Sequence, residues 1–413
     1  MARFGGRLTR AWMWTAGAGV LATGAAMVVA PQGAAFGLTR GGADASHESR
    51  LQRDADEVVA AGATGMTVAV DGAGRGGDRA RAGVAELGTR EPVPWSPYYR
   101  IGSDSKTFTS VVVLQLVDEG RVSLSDTVEE WLPGVVAGEG NDGARVTVEN
   151  LLRHTSGLTN YTDILFGDPE TLTPERYREE RFEPRPAEEM VALAMTEPPG
   201  WLPDADDPAG ETRWAYSNTN YLLAGMIIER ATGHSWEHEV HERVIAPLGL
   251  ERTLSPGTSS YVPRPTAHGY LQFPGREELT DTTLSVGGGA DGALISTPED
   301  MNTFLRALLD GTLLSPERLA DMRRTVPAPD FGEGAEYGLG LVWAPRCGEG
   351  EPGLWFHGGT SFGTVSEGAV TEDGSAAASA AVFTLRFGDA QRQAAQDGAT
   401  RAMIDNALCG DGR

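Results

Sequence analysis

The sequence reads Ile101-Gly102-Ser103-Asp104-Ser105-Lys106-Thr107 directly before a segment with apolar residues on every side, Phe108 to Asp118. Such a segment is typical of a helix that is buried nearly all round. Ser103 and Lys106 are three residues apart, so on a helix they share a face and the ammonium group reaches the hydroxyl. The stretch therefore places a serine and a basic side chain together at the start of a buried helix.

Lys106 is the only lysine of the chain. Of the 34 Lys and Arg residues, all the others are arginines. Burial and nearby positive charge lower the pKa of a lysine until it can accept a proton, whereas an arginine keeps its proton. A serine hydroxyl becomes a strong nucleophile when a neighbour takes its proton. The Ser-x-x-Lys spacing therefore predicts Ser103 as the nucleophile and Lys106 as its base, with a chance pairing as the alternative.

A second cluster, Tyr216-Ser217-Asn218, comes before a predicted helix from Asn220 to Ala231. A phenol can relay a proton, and an amide can hold both a lysine and a substrate carbonyl. Tyr216 and Asn218 are therefore candidates for the same site. The alternative is that they only cap the helix.

A third cluster, His357-Gly358-Gly359-Thr360, ends a predicted strand. Paired glycines let a backbone approach a substrate closely, so the amides of Thr360 and Ser103 can together form an oxyanion hole. His357 is interpreted either as a cation that lines the cleft or as a residue at a strand end. A Gly-Gly turn without a functional role is the alternative for the cluster.

The order of the predicted elements favours an α/β (α+β) fold. Strand patterns occur before Ser103 and again near the C-terminus, and helical patterns dominate between them. We expect one antiparallel sheet flanked by helices, an adjoining all-helical lobe at roughly residues 108–285, and a cleft between the two. The predicted helices are 47–61, 108–118, 148–152, 187–195, 220–231, 236–245, 298–309 and 389–408, and the predicted strands are 66–70, 80–87, 337–343, 354–357 and 380–385.

The three clusters, in this order, resemble the penicillin-recognising serine hydrolases, which include class C β-lactamases, D-alanyl-D-alanine carboxypeptidases and related esterases. The chain looks most similar to the secreted actinobacterial carboxypeptidases. The resemblance implies a β-lactamase/transpeptidase-like, penicillin-binding catalytic domain over residues 47–409. Its further matches are Leu114–Gly120, Leu151–Leu158, Tyr216–Asn220, Pro247–Leu250, His268–Tyr270, Gly292–Thr297 and Tyr337–Leu341.

The resemblance also implies roles for the clusters. Ser103 forms an acyl-enzyme, Lys106 and Tyr216 move protons, Asn218 positions the substrate, and no metal or organic cofactor takes part. The expected activity is that of a D-alanyl-D-alanine carboxypeptidase acting on cell-wall peptides. The alternatives are an esterase or D-amino-acid amidase, a class C-like β-lactamase, or a cell-wall peptide-binding protein without catalysis.

Three positions depart from the pattern of the related carboxypeptidases. These proteins have an arginine where Val342 stands, a hydroxyl residue in place of Gly358, and an aromatic residue in place of Val286. Such an arginine is suited to pair with a terminal carboxylate. Arg346 is near enough in the sequence to replace it, so carboxypeptidase specificity depends on where Arg346 points.

The N-terminus has the features of an export signal. Arg3, Arg7 and Arg10 precede an uncharged run, residues 11–30, and small residues follow it. We expect a signal peptide at 1–35, a flexible lead at 36–46, and a secreted monomer without stable membrane insertion. An uncleaved N-terminal anchor is the alternative.

The net charge of −24 argues against nucleic acid as a partner, because an acidic surface is repelled by phosphates. The even count of two cysteines in an exported chain predicts a disulfide between Cys347 and Cys409, with two unlinked thiols as the alternative. His234, His238 and His241 are spaced like metal ligands, but they lie in a charged helix without an HExxH pattern. A solvated face is the better interpretation of these histidines.

Overall fold

The computed structural model describes residues 44–72, 75–348 and 350–409. The predicted signal peptide, 1–35, and most of the predicted lead, 36–46, lie outside these residues. The first helix begins at Asp44, so the last residues assigned to the lead belong to that helix. Among the described helices, none is both long enough and apolar enough to cross a bilayer.

The helices lie mainly in the middle of the chain, as predicted. Helix 298–309 has the predicted bounds, and the predicted helix 236–245 continues past α9 as one π-helical turn, His241–Ile245. In chain order the helices are α1 (Asp44–Ala60), α2 (Ser105–Asp118), α3 (Val128–Trp131), α4 (Val148–Arg153), α5 (Tyr161–Phe166), α6 (Pro174–Glu180), α7 (Ala187–Ala194), α8 (Asn218–Thr232), α9 (Trp236–Val240), α10 (Ala246–Leu248), α11 (Pro298–Leu309), α12 (Pro316–Met322) and α13 (Ala390–Leu408).

The strands come mainly from the two ends of the described chain. In chain order they are β1 (Gly65–Gly72), β2 (Arg75–Gly83), β3 (Tyr99–Arg100), β4 (Ala137–Gly138), β5 (Asn141–Asp142), β6 (Tyr270–Gln272), β7 (Leu279–Asp281), β8 (Ile295–Ser296), β9 (Val326–Pro327), β10 (Glu336–Tyr337), β11 (Val342–Ala344), β12 (Leu354–Ser361), β13 (Thr364–Thr371), β14 (Ala376–Val382) and β15 (Thr384–Arg386). Strands β6 and β7 lie inside the stretch that was predicted as the helical lobe, and β6 pairs with β15.

An eight-stranded antiparallel sheet organises the molecule, with the strand order β2-β1-β14-β13-β12-β11-β10-β9. Strand β1 pairs with β14, so that Met66 lies opposite Val382. This pairing confirms that the two ends of the domain share one antiparallel sheet. The mixed α/β fold, with a large antiparallel sheet flanked by helices, is therefore the fold that the sequence predicted.

The sheet has a hydrophobic core on each face. The larger core includes apolar residues of α2, α8 and α11, and the smaller one includes residues of α1 and α13. Helix α2 is buried at 11 of its 14 residues, which explains why its sequence is apolar on every side. The N-terminal end of this helix lies between the sheet and the helical lobe, where the predicted site residues meet.

The predicted strand 337–343 is in fact two short strands, β10 and β11. The chain turns between them at Gly340, which has a φ of +81°. A Cβ atom at this position would lie 2.2 Å from the hydroxyl oxygen of Ser110. Only glycine fits such a turn, because it tolerates a positive φ and brings no side chain into the contact.

Candidate active site

Ser103 lies in a single 3₁₀ turn, Gly102–Asp104, that leads directly into α2. Gly102 has a φ of +54°, a left-handed conformation that favours glycine. A Cβ atom on Gly102 would lie only 2.6 to 2.9 Å from the backbone of Thr360. The glycine before the serine therefore lets the turn and strand β12 come into direct contact.

Lys106 follows one helical turn later and is fully buried. Its Nζ lies 3.1 Å from Ser103 Oγ, 2.6 Å from Asn218 Oδ1 and 2.7 Å from the backbone oxygen of Asp291. Burial lowers the pKa of Lys106 to about 7, although the negative charges of Asp291 and Asp104 oppose this effect. At neutral pH a substantial fraction of Lys106 is therefore uncharged and able to accept a proton from Ser103.

Tyr216 completes a triad of polar side chains with Ser103 and Lys106. Its ring centroid lies 4.9 Å from Lys106 Nζ. Burial raises the pKa of Tyr216 well above its usual value, and its interaction with Ser103 only partly offsets this rise. Tyr216 therefore keeps its proton at neutral pH and is suited to relay one rather than to act as a phenolate.

Asn218 is the first residue of α8, and both ends of its amide contact the protein. Its Oδ1 accepts a hydrogen bond from Lys106, and its Nδ2 donates one to Thr162 Oγ1 at 3.1 Å. Its backbone N–H donates to Asn160 Oδ1 at 2.9 Å. These contacts fix the oxygen of Asn218 on Lys106, and they leave one hydrogen of Nδ2 for a substrate carbonyl.

His154 supports the turn that carries Tyr216 and Asn218. Its Nδ1 accepts a hydrogen bond from the backbone N–H of Ser217 at 3.2 Å, and its ring lies 4.4 Å from the ring of Tyr216. Burial lowers the pKa of His154 well below its usual value, so the ring is neutral and can accept this bond. His154 therefore fixes the backbone between Tyr216 and Asn218.

Asp291 belongs to the site but was missed by the sequence analysis. Besides its backbone contact with Lys106, its carboxylate accepts hydrogen bonds from Tyr161 Oη at 2.8 Å and from the N–H of Gly289 at 2.9 Å. The run of three glycines before it, residues 287–289, is the sequence signal of a tight loop at this place. Asp291 therefore joins this loop to Lys106.

His357 is neutral, which corrects its interpretation as a cation that lines the cleft. Its Nδ1–H donates to the backbone oxygen of Gly358 at 2.7 Å, so its Nε2 accepts from Tyr337 Oη at 3.1 Å. Burial lowers the pKa of His357 to about 3, and the charge of Lys106 acts in the same direction. An ammonium or guanidinium group would be needed here to attract a carboxylate, and a neutral imidazole does not replace it.

The end of β12 lies against the turn of Ser103. A Cβ atom on Gly359 would lie 1.7 Å from the backbone oxygen of Ile101 and 3.0 Å from the amide nitrogen of Ser103. A Cβ atom on Gly102 would lie 2.7 Å from the amide nitrogen of Thr360. The amides of Ser103 and Thr360 therefore lie side by side, which is the arrangement that an oxyanion hole requires.

The positions that depart from the carboxypeptidase pattern carry no cation directed at a carboxylate. Val342 is fully buried in the apolar core that α1 and α13 share. Arg346 is held by two carboxylates, with its Nη1 2.9 Å from Glu367 Oε1 and its Nε 2.7 Å from Asp405 Oδ1. Val286 lines the cleft without an aromatic ring.

A cavity of about 550 Å³ opens at Ser103 and runs between the helical lobe, strand β12 and helix α13. Its lobe end is lined mainly by apolar side chains, and its other end mainly by polar and charged ones. The apolar set is Phe166, Met190, Leu222 and Val286, with Arg185 beside them, and the polar set is Ser366, Glu367, Arg386, Gln393, Asp397, Thr400 and Arg401. Arg185 is paired with Glu180. The cavity can therefore hold a substrate whose two ends differ in polarity.

Cys347 and Cys409 form the predicted disulfide, which ties the end of α13 to the loop after β11. Of the three histidines with metal-like spacing, His234 and His238 are exposed neighbours and His241 contacts Glu242. His234, His238 and Glu239 place one ligand atom each within 4.8 Å of one another, but Glu239 is already bound by Arg243. This group lies outside the residues that line the cavity.

Comparison with known proteins gives matches along most of the chain. A family model described as Beta-lactamase matches residues 32–400. A penicillin-binding protein of Bacillus subtilis (strain 168) is 28% identical over 275 residues, which are 63% of this chain, and the chain spans 55% of that relative's length.

Two solved structures are also similar. One is a D-stereospecific amidohydrolase from Streptomyces sp., with 36% identity and a TM-score of 0.73, covering 84% of this chain and 97% of the other. The second is a D-amino acid amidase from Ochrobactrum anthropi SV3 complexed with L-phenylalanine amide, with 26% identity and a TM-score of 0.72, covering 88% of this chain and 98% of the other.

Proposed function

The chain belongs to the beta-lactamase family of serine hydrolases, and from this premise we propose that it hydrolyses amides of D-amino acids through an acyl-enzyme on Ser103. The observation that carries the choice of substrate is the pairing of Arg346 with Glu367 and Asp405, which occupies the one guanidinium that could replace the missing arginine at Val342. The similarity to a D-stereospecific amidohydrolase and to a D-amino acid amidase supports the same substrate class.

The proposed acylation begins with the proton of Ser103. Uncharged Lys106, 3.1 Å away, accepts this proton while Ser103 Oγ attacks the amide carbonyl. The amides of Ser103 and Thr360 hold the negative charge that develops on the carbonyl oxygen. Tyr216 passes the proton that Lys106 accepted on to the leaving nitrogen, the C–N bond breaks, and a free amine leaves, so that Lys106 is neutral again and the acyl group is esterified to Ser103.

Deacylation uses the same groups with water as the nucleophile. Neutral Lys106, with Tyr216 as a relay, accepts a proton from water as the water attacks the ester carbon, and this proton returns to Ser103 Oγ when the acid leaves. Because one fixed set of donors serves both steps, the chemistry needs only residues that the cleft provides.

The geometry favours this amidase function over the expected D-alanyl-D-alanine carboxypeptidase. A peptide with a free C-terminus brings a carboxylate into the cleft, and charge-assisted binding of that group requires a cation. Val342 is apolar and buried, His357 is neutral, and Arg346 is already bound by two carboxylates. An amide with an uncharged leaving group makes no such demand.

A panel of substrates tests the proposal directly. Wild-type protein and Ser103→Ala are incubated with D-phenylalanine amide, L-phenylalanine amide, a peptide ending in D-Ala-D-Ala, a chromogenic ester and a cephalosporin. We expect wild type to release ammonia fastest from the D-amide and Ser103→Ala to release none above background. A fluorophosphonate probe, followed by mass spectrometry, is expected to label Ser103 in the wild type alone.

Faster cleavage of the D-Ala-D-Ala peptide than of the D-amide would show that the carboxypeptidase assignment is right and the amidase assignment wrong. Preference for the cephalosporin would instead indicate a β-lactamase.

A further inference from the structure

The cavity beside Ser103 does not stop at the oxyanion hole. It continues along Gly358 and reaches the face of α13 that carries Asp397 and Arg401. Gly358 lies two strand residues from Thr360, so this part of the cavity begins roughly 6 to 7 Å from the reacting carbonyl. A substrate group at that distance meets the polar wall of the cavity, which Glu367, Asp397 and Arg401 line, and not the apolar residues of the lobe end.

Glu367 provides the charge of this wall. It lies directly opposite Gly358 in the β12–β13 ladder. A Cβ atom on Gly358 would lie 3.2 Å from Glu367 Oε2, so the missing side chain leaves this oxygen room beside the strand. Arg346 binds the other oxygen, Oε1, and within the described ranges 44–72, 75–348 and 350–409 no hydrogen-bond donor is found for Oε2.

Two carboxylates, those of Glu367 and Asp397, repel each other in this part of the cavity. Of the guanidinium groups that line it, Arg386 is bound by Gln272 and the backbone oxygen of Gly62, and the charge of Arg401 offsets that of Asp397 only in part. Burial and, to a smaller extent, the charge of Glu367 raise the pKa of Asp397 to about 6, although its hydrogen bond with Gln393 acts in the opposite direction. A cation in the cavity would therefore relieve repulsion between these carboxylates, whereas an anion would add to it.

Resting on the amide hydrolysis proposed above, we propose that Glu367 selects amides whose leaving group carries a primary ammonium group about three carbon atoms beyond the scissile nitrogen. Glu367 Oε2 accepts a hydrogen bond from this ammonium through the space left by Gly358. The acyl group lies toward the apolar residues of the helical lobe, so that the polar leaving group faces α13. Glu367 and Gly358 together thus act as a specificity-determining pair.

Binding to an acylation-deficient protein tests the proposal without requiring turnover. Three amides of N-acetyl-D-alanine are compared, with the leaving amines 1,3-diaminopropane, n-butylamine and β-alanine, which end in an ammonium, a methyl group and a carboxylate. Calorimetry on Ser103→Ala is expected to show the ammonium compound binding at least about tenfold more tightly than the butyl compound, because hydrogen bonds to charged groups have this strength. The carboxylate compound is expected to bind most weakly.

Adding Glu367→Gln to Ser103→Ala is expected to bring the ammonium and butyl compounds within about threefold of each other. Asp405→Asn is the matched control, because it removes the other carboxylate partner of Arg346 but does not alter the oxygen that faces Gly358. Asp405→Asn is expected to keep the preference for the ammonium compound over the butyl compound. Gly358→Ala, which fills the space in front of Oε2, is a second route to the same loss if Glu367→Gln folds poorly.

Equal binding of the ammonium and butyl compounds would overturn the proposal, and so would a preference that survives both Glu367→Gln and Gly358→Ala. Turnover of the three amides by the wild type distinguishes a failure of the ammonium site from a failure of the proposed amide hydrolysis. Cleavage without an ammonium preference would refute the role of Glu367 alone. Selective binding without any cleavage would refute amide hydrolysis and leave the ammonium site standing.

Discussion

The charge of Asp291 opposes the effect of burial on Lys106. Burial alone would stabilise the neutral amine, and the negative charges of Asp291 and Asp104 shift the equilibrium back toward the ammonium form. The resulting pKa of about 7 lies in the range where a general base works well at neutral pH. Activity that depends on neutral Lys106 therefore falls as the pH drops through about 7.

Replacing Asp291 by Asn is expected to lower the pKa of Lys106. A nearby negative charge raises the pKa of an ammonium group, so removing that charge shifts the pKa downward, by roughly one unit for a close pair. The acid limb of the pH profile of kcat/KM should therefore move to lower pH. The measurement is the midpoint of this limb with D-phenylalanine amide or, if no amide is cleaved, with the rate of fluorophosphonate labelling.

Tyr161→Phe is the matched control for this prediction. It removes the 2.8 Å hydrogen bond to the Asp291 carboxylate but keeps the charge. The acid limb of kcat/KM in Tyr161→Phe should have the same midpoint as in the wild type, even if the value of kcat/KM changes. An Asp291→Asn midpoint equal to that of the wild type would show that Lys106 does not sense this charge.

At this scale the sequence predicted residues that stand in short motifs of polar side chains and missed those that no such motif marks. Ser103 and Lys106 lie on one turn of helix, so their spacing alone suggested the pair. Asp291 reaches Lys106 across 185 residues of sequence. The position of Glu367 depends on strand register, which no short motif records. The roles proposed for Ser103, Lys106, Tyr216, Asn218 and Thr360 stay predictions until variants are measured.

At the scale of elements, the contact between β12 and the turn before α2 brings the two amides of the proposed oxyanion hole together. This contact depends on Gly359, because a Cβ atom there would lie 1.7 Å from the backbone oxygen of Ile101. Gly359→Ala is expected to push β12 away from Ser103. We expect the free energy of unfolding to fall by about 1 to 3 kcal/mol, the usual cost of overpacking, and the rate of fluorophosphonate labelling to fall with it.

Gly398→Ala is the matched control for Gly359→Ala. Gly398 is exposed in the middle of α13, and a Cβ atom there would meet nothing within 4 Å. Alanine favours a helix over glycine by about 1 kcal/mol, so this variant should be slightly more stable than the wild type and label at the same rate. Urea unfolding and labelling kinetics measure both quantities. Wild-type stability and labelling in Gly359→Ala would rule out the tight contact.

The helices were predicted more completely than the strands, for a physical reason. Helix α2 has apolar residues on every side between Phe108 and Val117, and this pattern indicates that it is buried. Strand β14, in contrast, consists mostly of alanine, which intrinsically favours helix, and only its last residues were predicted as strand. Strand β13 mixes glycine, serine and glutamate and was missed. Both lie between other strands of the sheet, and this tertiary setting overrides their local preferences.

At the scale of the whole molecule, the first and last helices cover the same face of the sheet. Residues of α1 and α13 share the smaller hydrophobic core, and the disulfide of Cys347 and Cys409 fastens α13 to the loop after β11. A disulfide is typical of proteins in an oxidising compartment. It supports our proposal that residues 1–35 direct export, although these residues lie outside the described structure.

The disulfide also holds the charged end of the cavity. Cys347 follows Arg346, which bridges Glu367 on β13 and Asp405 on α13, and Cys409 ends the same helix. Helix α13 in turn carries Asp397 and Arg401, which line the cavity. Lys106, in contrast, is fixed by contacts with α2, α8 and the loop of Asp291, so it does not depend on this connection.

Replacing both cysteines by serine is therefore expected to affect stability and substrate selection but not the catalytic base. The bridge closes a loop with a sequence separation of 62 residues, and the loop-entropy relation gives a loss of up to about 4 kcal/mol in the free energy of unfolding. Urea unfolding measures this loss. The preference for the ammonium-bearing amide should weaken, because Glu367 and α13 are less firmly held, whereas the acid limb of kcat/KM should keep its midpoint near pH 7. The opposite result would be a shifted midpoint of the acid limb together with an unchanged preference for the ammonium-bearing amide. It would contradict the view that the catalytic part of the cleft is fixed independently and that the disulfide holds only the selective wall.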